Sequence, residues 1–165
     1  ISEAQKDKLV GNILKNTLET YHYKKLKVND GLSSVAFDKF LEKVDFSKQF
    51  LTRADVDNLS KYRKQLDDEM VSGDVEIAEA AASILKKRVD QIEGFRDDFF
   101  KKPFSFSEDE SLEMDPKKRK WSNNDKELKE LWRKIFKNSV LGNYLALRDA
   151  AQDDEKNKDK KFSLD

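Results

Sequence analysis

The chain has 165 residues, a length that suits one domain with its own core. Its 33 Lys+Arg and 33 Asp+Glu cancel to a formal net charge of zero, which argues against a dedicated nucleic-acid binder, since such proteins carry a basic excess. The absence of cysteine excludes disulfides and thiolate metal sites, and a single histidine, His22, excludes zinc centres built on several histidines.

Charged residues make up 40% of the chain, and the mean hydropathy is −0.87. The apolar residues must therefore be concentrated on narrow faces, as in amphipathic helices. No run of about 18 apolar residues is present, so no membrane-spanning segment is expected. The first residues, "ISEAQKDKLV", do not resemble a signal peptide; an exported protein with this sequence would have lost its signal already.

Leu9/Val10, Ile13/Leu14, Leu18 and Tyr21 recur at three- to four-residue spacing and predict a first helix over about residues 3–23. After the break "KVNDGLSS", Phe37, Phe40, Leu41 and Val44 mark a second helix. Val56, Leu59, Tyr62, Leu66 and Met70 mark a third, closed by "SGD" at 72–74, with Gly73 suited to the left-handed position after a helix end. Ile77, Ala80/Ala81, Ile84/Leu85, Ile92, Phe95 and Phe99 predict the longest helix. Leu128, Leu131/Trp132, Ile135/Phe136 and Val140 predict a fifth, which a break at Gly142-Asn143 separates from a continuation through "YLALRDAA". No β pattern stands out. The expected fold is all-α: five to six amphipathic helices in an irregular bundle, with one long ordered arm over about residues 101–122 that packs through Phe104, Phe106, Leu112 and Trp121. Residues 1–151 are assigned to this helical domain and 152–165 to a polar tail or linker.

The stretch "VDFSKQFLTRADVDNL", residues 44–59, has the outline of a helix–loop–helix calcium site. A loop opened by Asp45 would need Gly at its sixth position and Glu at its twelfth; the chain has Phe50 and Val56 there. A capping box fits better, with Thr52 as N-cap and Asp55 three residues on, while Phe50 and Leu51 pack across a helix corner. "KKRK" at 117–120 matches a short nuclear-import signal, but such runs arise readily in a Lys-rich chain and the adjacent "SEDESLEMD" is strongly acidic; a solvated turn is the simpler expectation. His22 at a helix end is expected to interact with the helix dipole or pack against a neighbouring aromatic ring rather than to act as a base. Trp132 shares a stripe with Leu128 and Ile135 and is expected in the core. No catalytic constellation is visible, and no cofactor or metal is expected.

The order of motifs resembles the N-terminal helical region of tail-specific proteases, the carboxy-terminal processing peptidases of the S41 serine peptidase family. The matching features are "ETYHYKK" with His22 and Tyr23, then Asp45, Lys48, Phe50, Leu51 and Asp55 at family spacing, then the arm "FSFSEDESL", Trp121, and the helix "KELKELWRKIFK" with Leu131, Trp132 and Lys137. The similarity covers roughly residues 17–147. Val44 stands where the family often has Leu, and Lys120 where it often has Pro before Trp; neither change alters a helical packing role. The resemblance implies a non-catalytic domain of a periplasmic, possibly membrane-associated, serine endopeptidase. In that family the PDZ domain and the Ser-Lys dyad lie in later domains, so no catalytic residue transfers to this chain. Implied partners are protein substrates with apolar C-terminal tails, the enzyme's own PDZ and protease domains, and an adaptor protein. Implied roles are substrate admission, scaffolding and partner docking. The alternative reading is a standalone helical interaction module with a nuclear-import-like run.

Overall fold

The computed structural model describes residues 2–161, with side chains described for 2–152. The described residues fold into six α-helices: α1 Glu3–Asn16, α2 Asp30–Val44, α3 Arg53–Leu59, α4 Leu66–Ser72, α5 Glu76–Phe99 and α6 Asp125–Lys161. The only β pairing among them is an isolated bridge between Thr52 and Ser122, so the fold is all-α.

Local chemistry sets the helix limits. Ser2 and Gln5 form a capping box at the start of α1. Its last turn widens into a π-turn over Thr17–Tyr21, where the Thr17 hydroxyl donates to the Ile13 carbonyl at 2.8 Å and competes with the backbone ladder. Asn29 caps α2 by accepting from the backbone of Gly31 and Leu32. The third expected helix is in fact two. A 3-10 turn over Ser60–Tyr62 ends α3, with the Ser60 hydroxyl donating to the Val56 carbonyl at 2.9 Å, and the chain changes direction before α4. Gly73 then closes α4 in the left-handed conformation, φ 83°, as its type and position predict.

The expected break at Gly142-Asn143 does not occur: α6 runs through both residues. One glycine costs a helix only about 1 kcal/mol, and the good helix formers around it outweigh that. The backbone is helical as far as Lys161, so the segment assigned to a polar tail begins inside α6. Residues 162–165 of that tail lie outside the described residues.

The core is small. Phe37 and Leu41 from α2, Leu51, Leu59 and Tyr62 from the next corner, and Ile77 and Ala81 from α5 form one buried cluster. Leu128 of α6 is also fully buried. α1 lies against α4 so closely that a Cβ on Gly11 would fall 1.6 Å from the Met70 carbonyl oxygen. Its contact side is polar or small: Gly11, and Asn12, whose amide donates to the Val71 carbonyl at 3.3 Å. Its apolar residues Leu9, Val10, Ile13 and Leu14 are exposed.

Candidate functional site

The corner between α2 and α3 is organised by one carboxylate. Asp45 ends α2, its N–H still donating to the Leu41 carbonyl at 3.0 Å. The chain then reverses through Lys48, which takes the left-handed conformation at φ 50°. The reversal aims successive N–H groups inward, at a side chain only 3% exposed. Asp45 Oδ1 accepts from Gln49 N–H at 2.9 Å, while Oδ2 accepts from Phe50 at 3.2 Å, Leu51 at 2.9 Å and the Trp121 indole at 3.2 Å. N–H donors therefore surround the carboxylate, and they repel a cation. Among the described residues no group of three His, Asp or Glu side chains is placed to hold a metal ion.

Two basic side chains lock the long arm onto this corner. Lys48 donates to the Arg119 carbonyl at 2.8 Å and lies over the Trp121 ring, 5.4 Å from its centroid. Arg119 returns the contact, donating to the Ser47 carbonyl at 2.8 Å and to the Glu113 carbonyl. Arg119 is 7% exposed, so "KKRK" is not four free cations on a solvated turn; its third residue is buried as a loop clamp.

The second polar centre lies at the other end of the same corner. Thr52 and Asp55 form the expected capping box. The Asp55 carboxylate also accepts from Arg88 of α5 at 2.7 Å. Arg88 is buried and donates further to Thr52 Oγ1 at 3.0 Å, to Gln91 at 2.7 Å and to Asp125, at the start of α6, at 2.6 Å. Burial works to raise the Asp55 pKa, but the bonds from Arg88 and Thr52 prevail and hold it below the ordinary value. Asp125 is lowered chiefly by its bond from Arg88. One guanidinium thus ties α3, α5 and α6 together.

The third cluster joins the arm to α6. The Trp132 indole donates to the Gln49 carbonyl at 2.7 Å, with its ring centroid 5.5 Å from Phe50 and 5.3 Å from Phe136. Glu110 of the arm pairs with Arg133 and Lys137, whose hydrogen bonds draw its pKa down to about 2. Lys137 also lies 5.4 Å from the Phe106 ring centroid. Beside these pairs a groove of about 400 Å³ runs between the arm and α6, lined by Phe106, Glu110, Leu112, Met114, Lys134 and Leu141 among others.

Of the residues singled out in the sequence, Asp45, Lys48 and Trp121 meet at one point, and Phe50 meets Trp132. Leu51 is fully buried, Asp55 joins the Arg88 centre, and Lys137 joins Glu110. Leu131 lines a shallow recess with Leu112. His22 and Tyr23 lie apart from these clusters: their rings pack together at 4.7 Å, and His22 Nδ1 accepts from Lys24 N–H at 3.2 Å. Sequence reasoning missed Arg88, Arg119 and Glu110. Arg88 had a signal, because it falls between Ile84 and Ile92 on the apolar stripe of α5, where a charge needs a buried partner. Glu110 had one too, as the glutamate of the arm motif "FSFSEDESL", whereas Arg119 had none, since it is one charge in a basic run.

The family model described as tail specific protease N-terminal domain matches residues 14–164. The chain is 26% identical over 129 residues to the tail-specific protease of Haemophilus influenzae, an alignment that covers 78% of this chain and 18% of that protein. The chain thus spans about a fifth of the length of that relative.

Proposed function

Because this chain belongs to the tail-specific protease N-terminal domain family, we propose that it is the non-catalytic helical part of a serine endopeptidase that processes proteins from their C-termini. Its roles there are to support the proteolytic domains and to admit protein substrates with apolar tails. An adaptor protein and the enzyme's own PDZ and protease domains are its partners, and the bacterial periplasm is its location. No described helix is long and apolar enough to cross a membrane.

One observation carries the assignment of a non-catalytic role. The polar atoms of four of the family-motif residues are used inside the fold: Asp45 on backbone N–H groups and Trp121, Lys48 on the Arg119 carbonyl, Asp55 on Arg88, and Lys137 on Glu110. Groups committed in this way hold a shape and have little freedom to move a proton or attack a carbonyl. Incubation of the chain with a protein bearing an apolar C-terminal tail, followed by mass spectrometry, is expected to leave the tail intact. Cleavage by the purified chain overturns the reading. In an intact protease containing this domain, its removal is expected to spare hydrolysis of short peptides and to abolish degradation of tailed proteins.

A further inference from the structure

The arm contains a short stretch, free of helix, turn and bend, that pairs with no other segment among the described residues. Between Asp109 and Met114 no residue belongs to a helix or a β-ladder, and none has positive φ. Over residues 109–113 the side chains alternate: Glu110 and Leu112 are half-buried toward α6, whereas Asp109, Ser111 and Glu113 are exposed; Met114 beyond them borders the groove but is exposed. In a strand the N–H and C=O of one residue point to the same edge, and the next residue points to the other. The edge of Ser111 and Glu113 is occupied, their carbonyls accepting from Lys134 and from Arg119. The opposite edge, formed by the N–H and C=O groups of Glu110, Leu112 and Met114, makes no hydrogen bond among the described residues. The groove floored by Leu112, Met114, Phe106 and Leu141 adjoins this segment.

We propose that this open edge takes up an extended segment of a protein substrate as an added β-strand, with apolar side chains at alternate positions and Lys or Arg between them. Main-chain pairing with Glu110 and Leu112 supplies register and affinity without reading a fixed sequence. The alternate apolar side chains of the added strand enter the groove beside Leu112 and Met114. Its remaining side chains face the exposed carboxylates of Asp109 and Glu113, neither of which has an ion-pair partner among the described residues, and this selects basic residues at those positions. Glu110 is already neutralised by Arg133 and Lys137, so it does not repel the apolar face.

The proposal rests on the reading that this domain admits protein substrates, and its test is independent of cleavage because binding is scored on this chain alone. A labelled peptide of about eight residues alternating Val and Lys is titrated by fluorescence anisotropy. Two versions N-methylated on alternate amides, one on each register, are titrated beside it. Saturable binding is expected, weakened roughly tenfold or more by N-methylation of one register and little by the other, as loss of one or two hydrogen bonds requires. Leu112→Pro, which removes an N–H from the open edge, is expected to weaken binding to a similar degree; Ser111→Pro, on the occupied edge, is expected to leave it nearly unchanged. Far-UV circular dichroism and thermal melts verify that both variants are folded. Absence of saturable binding, or binding indifferent to both N-methyl registers, overturns the proposal.

Discussion

At the scale of single residues, stability depends on a few charges whose partners are fixed. The Asp45 carboxylate satisfies three backbone N–H groups and one indole N–H. Asp45→Ala leaves these donors unpaired in a buried corner and is expected to cost about 3 kcal/mol in urea unfolding, with Asp45→Asn costing less because an oxygen remains. Arg88→Met strands Asp55 and Thr52 without their common donor and is expected to cost about 3–5 kcal/mol. The two carboxylates behind this centre also set an acid dependence. Asp55 and Asp125 have pKa values lowered by folding from an ordinary 3.8, so their stabilisation is present above that value and is lost as the pH falls through the folded-state values. Glu110 follows the same sign, from 4.5 down to about 2. Stability measured by urea is therefore expected to be flat near neutrality on account of these groups and to fall between about pH 4 and 2. In Arg88→Met the burial of Asp55 is no longer offset by the guanidinium, which moves its folded-state pKa upward, so its share of the acid loss is expected to shrink. Glu69 has the opposite sign. Burial raises its pKa, and one of its oxygens is buried without a partner. Its ionisation opposes folding, so Glu69→Gln is expected to stabilise the protein at pH 7 and to make no difference well below pH 4.5, the ordinary value for this group.

At the scale of elements, two glycines that look alike in the sequence have opposite roles. Gly11 is the contact point of α1 on α4, and an added methyl group would meet the Met70 carbonyl at 1.6 Å. Gly11→Ala is expected to lift α1 off the body, seen as rapid amide exchange in α1 while α2 and α5 stay protected. Gly142 has nothing within 4 Å of an added Cβ, in the middle of α6. Gly142→Ala is expected to stabilise that helix by roughly 0.5–1 kcal/mol, read as a higher helix content or melting temperature. Neither difference is legible in sequence, because helix periodicity reports which residues share a face and not how close a neighbouring backbone comes. The splitting of the third expected helix has a similar origin. Val56 to Met70 keep helical spacing throughout, yet the turn at Ser60–Tyr62 redirects the chain so that Ser33 of α2 meets Asp67 of α4, with Asp67 N–H donating to the Ser33 hydroxyl at 2.8 Å.

At the scale of the whole molecule, equal numbers of acids and bases give zero net charge near neutrality and a pI of about 6.9. Lowest solubility of the purified chain is therefore expected near pH 7, with recovery on either side, as a precipitation curve against pH would show. Local patterns were sufficient for the all-α class, the capping box at Thr52 and Asp55 and the left-handed Gly73, because each rests on helix periodicity or on atoms a few residues apart. The motif order also marked Asp45, Lys48, Trp121 and Trp132 as belonging together, although nothing local showed what joined them. Only the tertiary structure decided that Trp121 donates to Asp45 across 76 residues of sequence, that Arg88 gathers Thr52, Asp55 and Asp125, and that Arg119 is buried in a run of surface lysines. It also decided that α1 meets the body with Gly11 and Asn12 and turns Leu9, Val10, Ile13 and Leu14 outward. The reason is physical. Periodicity and caps depend on energies within a turn or two of the chain, whereas the partner of a buried charge, or the face a helix turns inward, depends on desolvation and packing among distant segments, which exist only once the chain has folded.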